Sequence, residues 1–389
     1  MAYTAPTMLF TRAVLEQRER TTLAPYASMA GDTRGRVHQE TESAHRTAYQ
    51  KDRDRVIHTS AFRRLEYKTQ VFVNYEGDYY RTRLTHTLEV AQVGKAVARA
   101  LGLNEDLTET IALAHDLGHP PFGHSGEAAL NDLTQNIGGF DHNRQSLRIV
   151  TQLEQRYPKF PGLNLTWETL EGIMKHETDY DLPDPTWEPD KQPGLEAQVV
   201  NLADEIAYNA HDLDDGLRSG ILTPRQIYDI PLVGSLMKQL RIDPHTFSSQ
   251  DRYLLIRELL GLTIEDLARA TSERLQDANV RTVDDVRSAE TKLVFSSPEL
   301  ARQQADLKAF LYDNFYFHYR LIRASRKAHY VLARLYEAYI EEPTMLPSEY
   351  QERAARTGLE LTLSDYLSGM TDRYAHQEYS KLFDPLALT

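Results

Sequence analysis

Hydrophobic positions along the chain recur at three-to-four spacing far more often than at alternation, so the pattern predicts helices. Leu84, Leu88, Ala91, Val97, Ala98 and Leu101 line one side of residues 84–101, and Gly102 follows as a stop. Tyr49, Val56, Ile57, Ala61, Phe62 and Leu65 predict a helix over 43–72, with Arg53, Arg63, Arg64 and Lys68 opposite. Residues 107–114 are mostly apolar or small, as in a buried helix. Asn104 is its N-cap, Glu105 and Asp106 favour its dipole, Gly118 is its stop, and Pro120-Pro121 cannot continue it. Further helices are expected over 126–135, over 141–156 capped by Asp141, and from Trp167 to His176 behind Thr166. A long one carries Leu195, Val199, Leu202, Ile206, Ala210 and Leu213. From about residue 220 charged amphipathic helices follow one another, most regularly over 300–340, where Tyr312, Phe315, Tyr316, Phe317 and Tyr319 cluster.

Breaks in the pattern place the remainder. Residues 1–35 read as a short helix and a loop, an arm expected to lie over a neighbour or a second subunit. Val71 to Asn74 has strand propensity and Glu76-Gly77-Asp78 is a turn, which predicts one small β-hairpin. Residues 178–194, with Pro183, Pro185, Pro189 and Pro193, read as a long loop. The chain is therefore expected to be all-α with at most that hairpin. It divides into an arm and first helix (1–50), a core (51–217) and a C-terminal helical region (218–389) packed on it as one unit.

Composition narrows the chemistry. There is no cysteine among the 389 residues, which excludes disulfides, thiolate metal sites and cysteine nucleophiles. No apolar run is long enough to span a bilayer and no secretory segment is evident, so a soluble cytoplasmic protein is expected. The net charge of −13 argues against coating nucleic acid as the main task. Residues 51–83 nevertheless carry eight basic and five acidic side chains. Such an island suits a pocket for a small polyanion, or a solvated helix face with local ion pairs.

The densest chemistry lies in His115-Asp116-Leu-Gly-His119-Pro-Pro-Phe-Gly-His124-Ser-Gly-Glu127. His115 and Asp116 close a core helix, where a polar pair is costly unless something satisfies it. His86 sits in the first turn of the 84–101 helix; alone, it reads as a hydrogen-bonded core residue. Asp204, Tyr208, His211 and Asp212 form one stripe of the 195–213 helix, which could also be its wet side. Taken together, His86, His115, Asp116 and Asp204 form a mixed nitrogen and oxygen donor set. It suits manganese, iron, magnesium, cobalt, nickel or zinc. Spacing alone reads these four equally as unrelated polar residues.

His86…His115-Asp116…Asp204 resembles the H…HD…D signature of the HD-domain metal-dependent phosphohydrolases. More narrowly, the chain resembles the deoxynucleoside triphosphate triphosphohydrolases, the dGTPase family. The likeness runs through Asp52-Arg53-Asp54-Arg55-Val56-Ile57-His58 and Ala61 to Phe72. It continues through Arg83 to Val90, His115 to Glu127 and Leu202 to Tyr208. It is strong over about residues 34–215 and looser near 305–320.

The resemblance implies an HD helical fold and hydrolysis of a dNTP to a deoxynucleoside and inorganic triphosphate. Attack would fall at the α-phosphorus, and the 5′-oxygen would leave. It implies that His86, His115, Asp116 and Asp204 hold a divalent metal. His124 would be the proton donor, oriented by Glu127, with His119 and His142 around the same phosphate. Arg83 would contact phosphate, and Lys308 and Tyr316 would form a later basic-aromatic pair. Gln70 and Asp212 would read the 3′-hydroxyl, while Val71 and Tyr208 would lie against the sugar and exclude a 2′-hydroxyl. Arg63 and Arg64 read equally as structural partners of Asp52 or Asp54. A homo-oligomer, often a hexamer, is also implied. Two alternatives stand beside this. One is an HD phosphohydrolase acting on a nucleoside monophosphate, a cyclic dinucleotide or an alarmone, although no GYP-type motif is present. The other is a nucleotide sensor that binds single-stranded DNA.

Overall fold

The turn at residues 115–126 is held by a close approach of three chain segments, and the surrounding helices are arranged to make it. In the computed structural model, residues 9–71, 80–176 and 187–387 are described. The helices are α1 (Arg12–Thr22), α2 (Ala48–Ile57), α3 (Ser60–Arg64), α4 (Arg83–Leu101), α5 (Glu105–Ala114) and α6 (Gly123–Leu133). Next come α7 (His142–Arg148), α8 (Trp167–Met174), α9 (Leu195–Arg218), α10 (Pro224–Tyr228), α11 (Pro231–Gln239) and α12 (Ser249–Asp277). The chain closes with α13 (Val283–Arg287), α14 (Pro298–Leu311), α15 (Tyr319–Glu341), α16 (Ser348–Thr357), α17 (Leu359–Ser368) and α18 (Asp372–Phe383). The fold is all-α. Among the described residues there is no sheet, only isolated antiparallel bridges joining Arg36 to Thr166 and Thr69 to Thr82. The hairpin expected at 71–78 lies, apart from Val71, outside the described residues, as do residues 178–186 of the expected proline-rich loop.

Helix α5 starts as its sequence predicts: the Asn104 side chain accepts from Leu107 N–H at 3.1 Å. Its apolar girth (Leu107, Ile111, Leu113) packs with Val90 and Val97 of α4 and Val199 and Val200 of α9 in the largest core cluster. A second cluster joins the C-terminal half of α9 to α11, α12 and Phe315, and a third joins α6 to α15 and α17. The stretch 24–30 of the N-terminal arm lies on this same core. Ala24 N–H donates to the Gly102 carbonyl at 2.8 Å, and Ser28 donates to Glu196 through its backbone and hydroxyl, both at 2.9 Å.

Three expected helices are redrawn. The one over 43–72 is split after Ile57, because Thr59 starts a new N-cap, accepting from Phe62 N–H at 3.0 Å. The Glu154 carboxylate takes the Ser60 and Ala61 N–H groups, so the break leaves few orphan donors. The helix expected over 141–156 is α-helical only to Arg148 and continues as a π-turn over Ile149–Leu153. Helix α6 begins at Gly123 rather than 126, because Phe122 takes a left-handed conformation (φ 67°) and turns the chain there. That conformation is strained for a bulky residue. It is held by Phe122 N–H donating to Asp372 Oδ1 at 2.9 Å and by burial of the ring against α15 and α17.

Most of the basic island is not a pocket. Asp52 is paired with Arg36 and accepts from Thr166 and Thr169, Arg53 reaches Asp106 and Glu109, and Arg55 reaches Glu40. Arg81 is bound to Asp214, Asp215 and Glu89. Arg63 donates to the His58 carbonyl and Ser60, and Asp54 takes Arg46, so neither Arg63 nor Arg64 pairs with Asp52 or Asp54. The acids that take Arg53, Arg55 and Arg81 lie on other parts of the chain rather than at i,i+4, while the contacts of Arg63 are local.

Helix α5 ends at Ala114 rather than at the expected stop, Gly118, which is needed instead for the close approach of α7. The Gly118 backbone N–H donates to Ser146 Oγ at 2.8 Å, and that hydroxyl donates to the His115 carbonyl at 2.8 Å. A Cβ at Gly118 would overlap the His142 carbonyl oxygen and the Ser146 nitrogen. Gly118→Ala is therefore expected to cost about 2–3 kcal/mol by forcing α7 away from the turn. Calorimetry should show a melting temperature lower by several degrees. A melting temperature equal to that of the unaltered protein would refute this contact.

Candidate functional site

Helix α4 contributes Arg83, His86 and Glu89, one and two turns apart on one face. The end of α5 and the following turn contribute His115, Asp116 and His119. Helix α6 contributes His124 and Glu127, α7 His142, the end of α8 His176, and α9 Asp204, Tyr208, His211 and Asp212. The expected convergence of His86, His115, Asp116 and Asp204 is observed. His86 Nε2 lies 2.9 Å from Asp204 Oδ1, and His115 Nε2 lies 3.9 Å from that same oxygen. Asp116 places Oδ1 3.3 Å from His115 Nε2 and Oδ2 4.0 Å from His86 Nε2.

The protonation of His115 can be read from its surroundings. Its Nδ1 lies 2.6 Å from the Ala112 carbonyl, an acceptor only, so Nδ1 carries the proton. Nε2 is then a bare lone pair, and it is buried with no hydrogen-bond partner among the described residues. His86, His115 and Asp204 offer ligand atoms all within 4.8 Å of one another. Buried imidazole lone pairs facing carboxylate oxygens are mutually repulsive alone and mutually compatible around a cation. The donor set therefore fits a divalent first-row metal ion. Burial pushes His115 below the usual imidazole range, which favours the neutral ligand form. Asp116 and Asp204 resist the upward push of burial and are held well below the usual carboxylate range. His115 and Arg83 do this for Asp116, His176 and His86 for Asp204.

A second cluster adjoins the first through Asp116, whose Oδ1 is 3.0 Å from His119 Nδ1. Glu127 is its centre. Its Oε1 accepts from His142 N–H at 2.9 Å and lies 2.8 Å from His142 Nδ1, and its Oε2 is 3.4 Å from His124 Nδ1. Against the push of burial, His142 and His124 hold Glu127 well below the usual carboxylate range. The His119 ring stacks at 3.8 Å on His142 and meets the edge of His124 at 5.4 Å. Burial, Arg83 and His142 all push His119 well below the usual imidazole range. His124 is the exposed member, with 47 % of its side chain accessible, so it sits at the mouth.

Arg83 lies behind both clusters at 1 % exposure. Its Nη1 donates to Asp116 Oδ2 at 2.9 Å, while Nε and Nη2 are buried without partners among the described residues. Gly123 makes room for it, since a Cβ there would stand 3.1 Å from Nη2.

The remaining expected residues lie to one side, along α9. Tyr316 donates its hydroxyl to Asp212, and the Tyr208 and Tyr316 rings stack with centroids 6.0 Å apart. Burial and the neighbouring Asp215 push Asp212 well above the usual carboxylate range. Gln70 is buried with Oε1 unpartnered among the described residues, and Val71 packs beside the second core cluster, as does Tyr316. Lys308 is more peripheral: it is half-exposed and 3.9 Å from Glu205, the residue after Asp204.

Two histidines join the site without having been singled out by role. His176 Nε2 is 3.4 Å from Asp204 Oδ2, and its ring lies 4.9 Å from that of His115. His211 touches His86, with the two Nδ1 atoms 3.4 Å apart. His176 ends an apolar helix just as His115 does, and His211 shares the stripe of Asp204, so each had a signal in the pattern.

Comparison with known proteins bears on this arrangement. The HD domain matches residues 83–209, and the phosphohydrolase-associated domain matches residues 294–381. A deoxyguanosinetriphosphate triphosphohydrolase-like protein of Geobacter metallireducens is 50% identical over 372 residues, covering 95% of this chain and 97% of that protein. A protein of the same description from Geobacter sulfurreducens is 51% identical over 373 residues, covering 94% and 96%. One from Thiobacillus denitrificans is 48% identical over 373 residues, covering 92% and 97%. The chain belongs to the HD-domain phosphohydrolases, within the family of deoxyguanosinetriphosphate triphosphohydrolase-like proteins.

Proposed function

We propose that the protein hydrolyses deoxynucleoside triphosphates, dGTP among them, to deoxynucleoside and inorganic triphosphate, using a divalent metal ion held by His86, His115, Asp116 and Asp204. The observation that carries this reading is the pairing of opposite needs in one buried space. The bare Nε2 of His115 seeks a cation, and the unpartnered Nε–H and Nη2–H of Arg83 seek an anion. A phosphate bound with a metal answers both. Unmet, each of these buried groups costs about 1–3 kcal/mol.

The ion supplies Lewis-acid polarisation of the α-phosphate when bound. The chain's own groups do the rest. Arg83 donates to phosphate oxygens from a water-poor wall, where such a donor is worth more than in bulk water, and His119 lines the same wall. Water adds at the α-phosphorus, the bond to the 5′-oxygen breaks, and that oxygen takes a proton. His124 stands at the mouth to give it, with Glu127 holding Nδ1 and so directing Nε2 outward. His142 keeps Glu127 ionised for that purpose. Gln70 and the Asp212–Tyr316 pair meet the 3′-hydroxyl, and Tyr208 and Val71 lie under the ring so that a 2′-hydroxyl collides. Lys308 reaches the outer phosphates from the rim.

Purified protein incubated with each dNTP and Mn²⁺ or Mg²⁺ should release tripolyphosphate and deoxynucleoside in equal amounts, resolved by ion chromatography. A chelator should stop the release and added metal restore it. Release of pyrophosphate or orthophosphate without triphosphate would defeat the proposal. Inertness to dNTPs with turnover of monophosphates would move the protein to another branch of the HD hydrolases.

His124→Ala is expected to lower kcat about 10²–10⁴-fold. The melting temperature should stay put, because the side chain is half-exposed and outside the core. A loss below tenfold would remove His124 from the proton-donor role.

A further inference from the structure

We infer that Glu89 and His211 are positioning residues that fix the tautomer of His86, so that His86 presents an unprotonated Nε2 to the metal ion. This inference rests on the metal site proposed above.

Glu89 Oε2 lies 2.9 Å from His211 Nε2. Arg81 holds the same oxygen, its Nε donating at 3.0 Å, while its Nη1 is bound to Asp214 and Asp215. Gripped by a guanidinium, the Glu89 carboxylate acts as an acceptor only, so the proton of His211 must sit on Nε2. The neutral ring then has its lone pair on Nδ1. That atom faces His86 Nδ1 at 3.4 Å, with the two rings nearly perpendicular at 87°. His86 must therefore carry its proton on Nδ1, which leaves Nε2 bare and 2.9 Å from Asp204 Oδ1. The reverse assignment would let His86 donate to Asp204. It would also force the His211 proton onto Nδ1 and set its Nε2 lone pair against the Glu89 carboxylate at 2.9 Å, inside the protein.

His115 reaches the same end by another route, through the Ala112 carbonyl. Both imidazoles thus turn Nε2 inward, one fixed by backbone and one by a relay of side chains. The spacing that builds the relay is simple. His86 and Glu89 are three apart on α4, and Asp204 and His211 are seven apart on α9, so each helix carries one site carboxylate or imidazole and one relay member.

Histidine labelled with ¹⁵N gives a direct reading in metal-free protein. The long-range ¹H–¹⁵N pattern of His86 should be that of the Nδ1–H tautomer. In Glu89→Gln, whose amide can donate as well as accept, and in His211→Leu, it should become mixed or switch. Mn²⁺ affinity, followed by the EPR signal of the free ion, should fall about 10–100-fold in both variants. Melting of the metal-free protein separates structural damage from this effect. If His211→Leu fails to fold, Glu89→Gln carries the test, since the Glu89 side chain is 41% exposed. A wild-type His86 in the Nε2–H form would overturn the inference. So would variant Mn²⁺ affinities within twofold of wild type, whether or not melting shifts. Asp204→Asn separates the two readings. Wild-type Mn²⁺ binding that survives Asp204→Asn sinks the metal site itself, whereas binding that it abolishes but the relay variants leave unchanged sinks only the relay.

Discussion

The carboxylate of Asp116 is the group on which the site turns. One oxygen lies near His115 and His119, and the other accepts from Arg83 and faces His86. It is almost wholly buried, and a buried charge is tolerated only when several partners satisfy it. Here they come from α4 and from the turn after α5, two places that the fold must bring together before Asp116 can ionise. The pair it makes with Arg83 is weak evidence for stability, since desolvating both ions offsets most of their attraction. Its effect is on arrangement. With Nη1 committed to Asp116, Arg83 can aim only Nε and Nη2 elsewhere, and the guanidinium plane is set.

The turn that carries Asp116 depends on the far end of the chain. Lys68, buried, donates to the His119 carbonyl and, at 2.9 Å, to the Ser368 carbonyl. Asp372 accepts from the Thr69 backbone with one oxygen and from the Phe122 backbone with the other. One carboxylate at the start of α18 thus ties the strand-like residues before Gln70 to the strained residue before His124. The left-handed Phe122 costs on the order of 1–2 kcal/mol. Its ring burial and its bond to Asp372 offset that cost. The C-terminal helices are in this sense part of the wall of the site, which places a long stretch of helix with no site residue of its own under the same constraint as α4 and α9.

How far this could be read in advance follows from the range of each interaction. His86, His115 and Asp204 were legible because each interrupts an apolar helical face, and the motif linking them supplied their convergence. The cap at Asn104 is local and was legible too, whereas the helix ends at Ala114, four residues before the stop read at Gly118. His176 had the same local signal as His115 but no motif to single it out. The clamp by Asp372 and Lys68 joins residues about three hundred positions apart, and neither end departs from an ordinary amphipathic helix or loop. The split of α2 from α3 is similar. Its N-cap threonine is visible, yet the reason the chain can stop there is Glu154, which takes the two exposed amides from a different element. The basic island misled for the same reason, because its acids lie elsewhere in the sequence.

That neutralised island explains how an acidic chain can suit an anionic phosphoester. A net charge of −13 repels an anion at a distance, but salt screens charges beyond about 8 Å under physiological conditions. What remains is the field inside the pocket. Arg53, Arg55 and Arg81 are each tied to acids, so they contribute little there. Arg83 shares its charge with Asp116 and yet keeps two donors unspent in a wall that water does not reach. Donors of that kind act through low dielectric and fixed direction rather than through excess charge. Recognition built this way discriminates by the geometry of phosphate oxygens and not by their number of charges. An exposed basic patch of equal charge would attract any polyanion, nucleic acid included, and the pairing of Lys51, Arg53, Arg55 and Arg81 with acids outside the island takes those four out of such a patch.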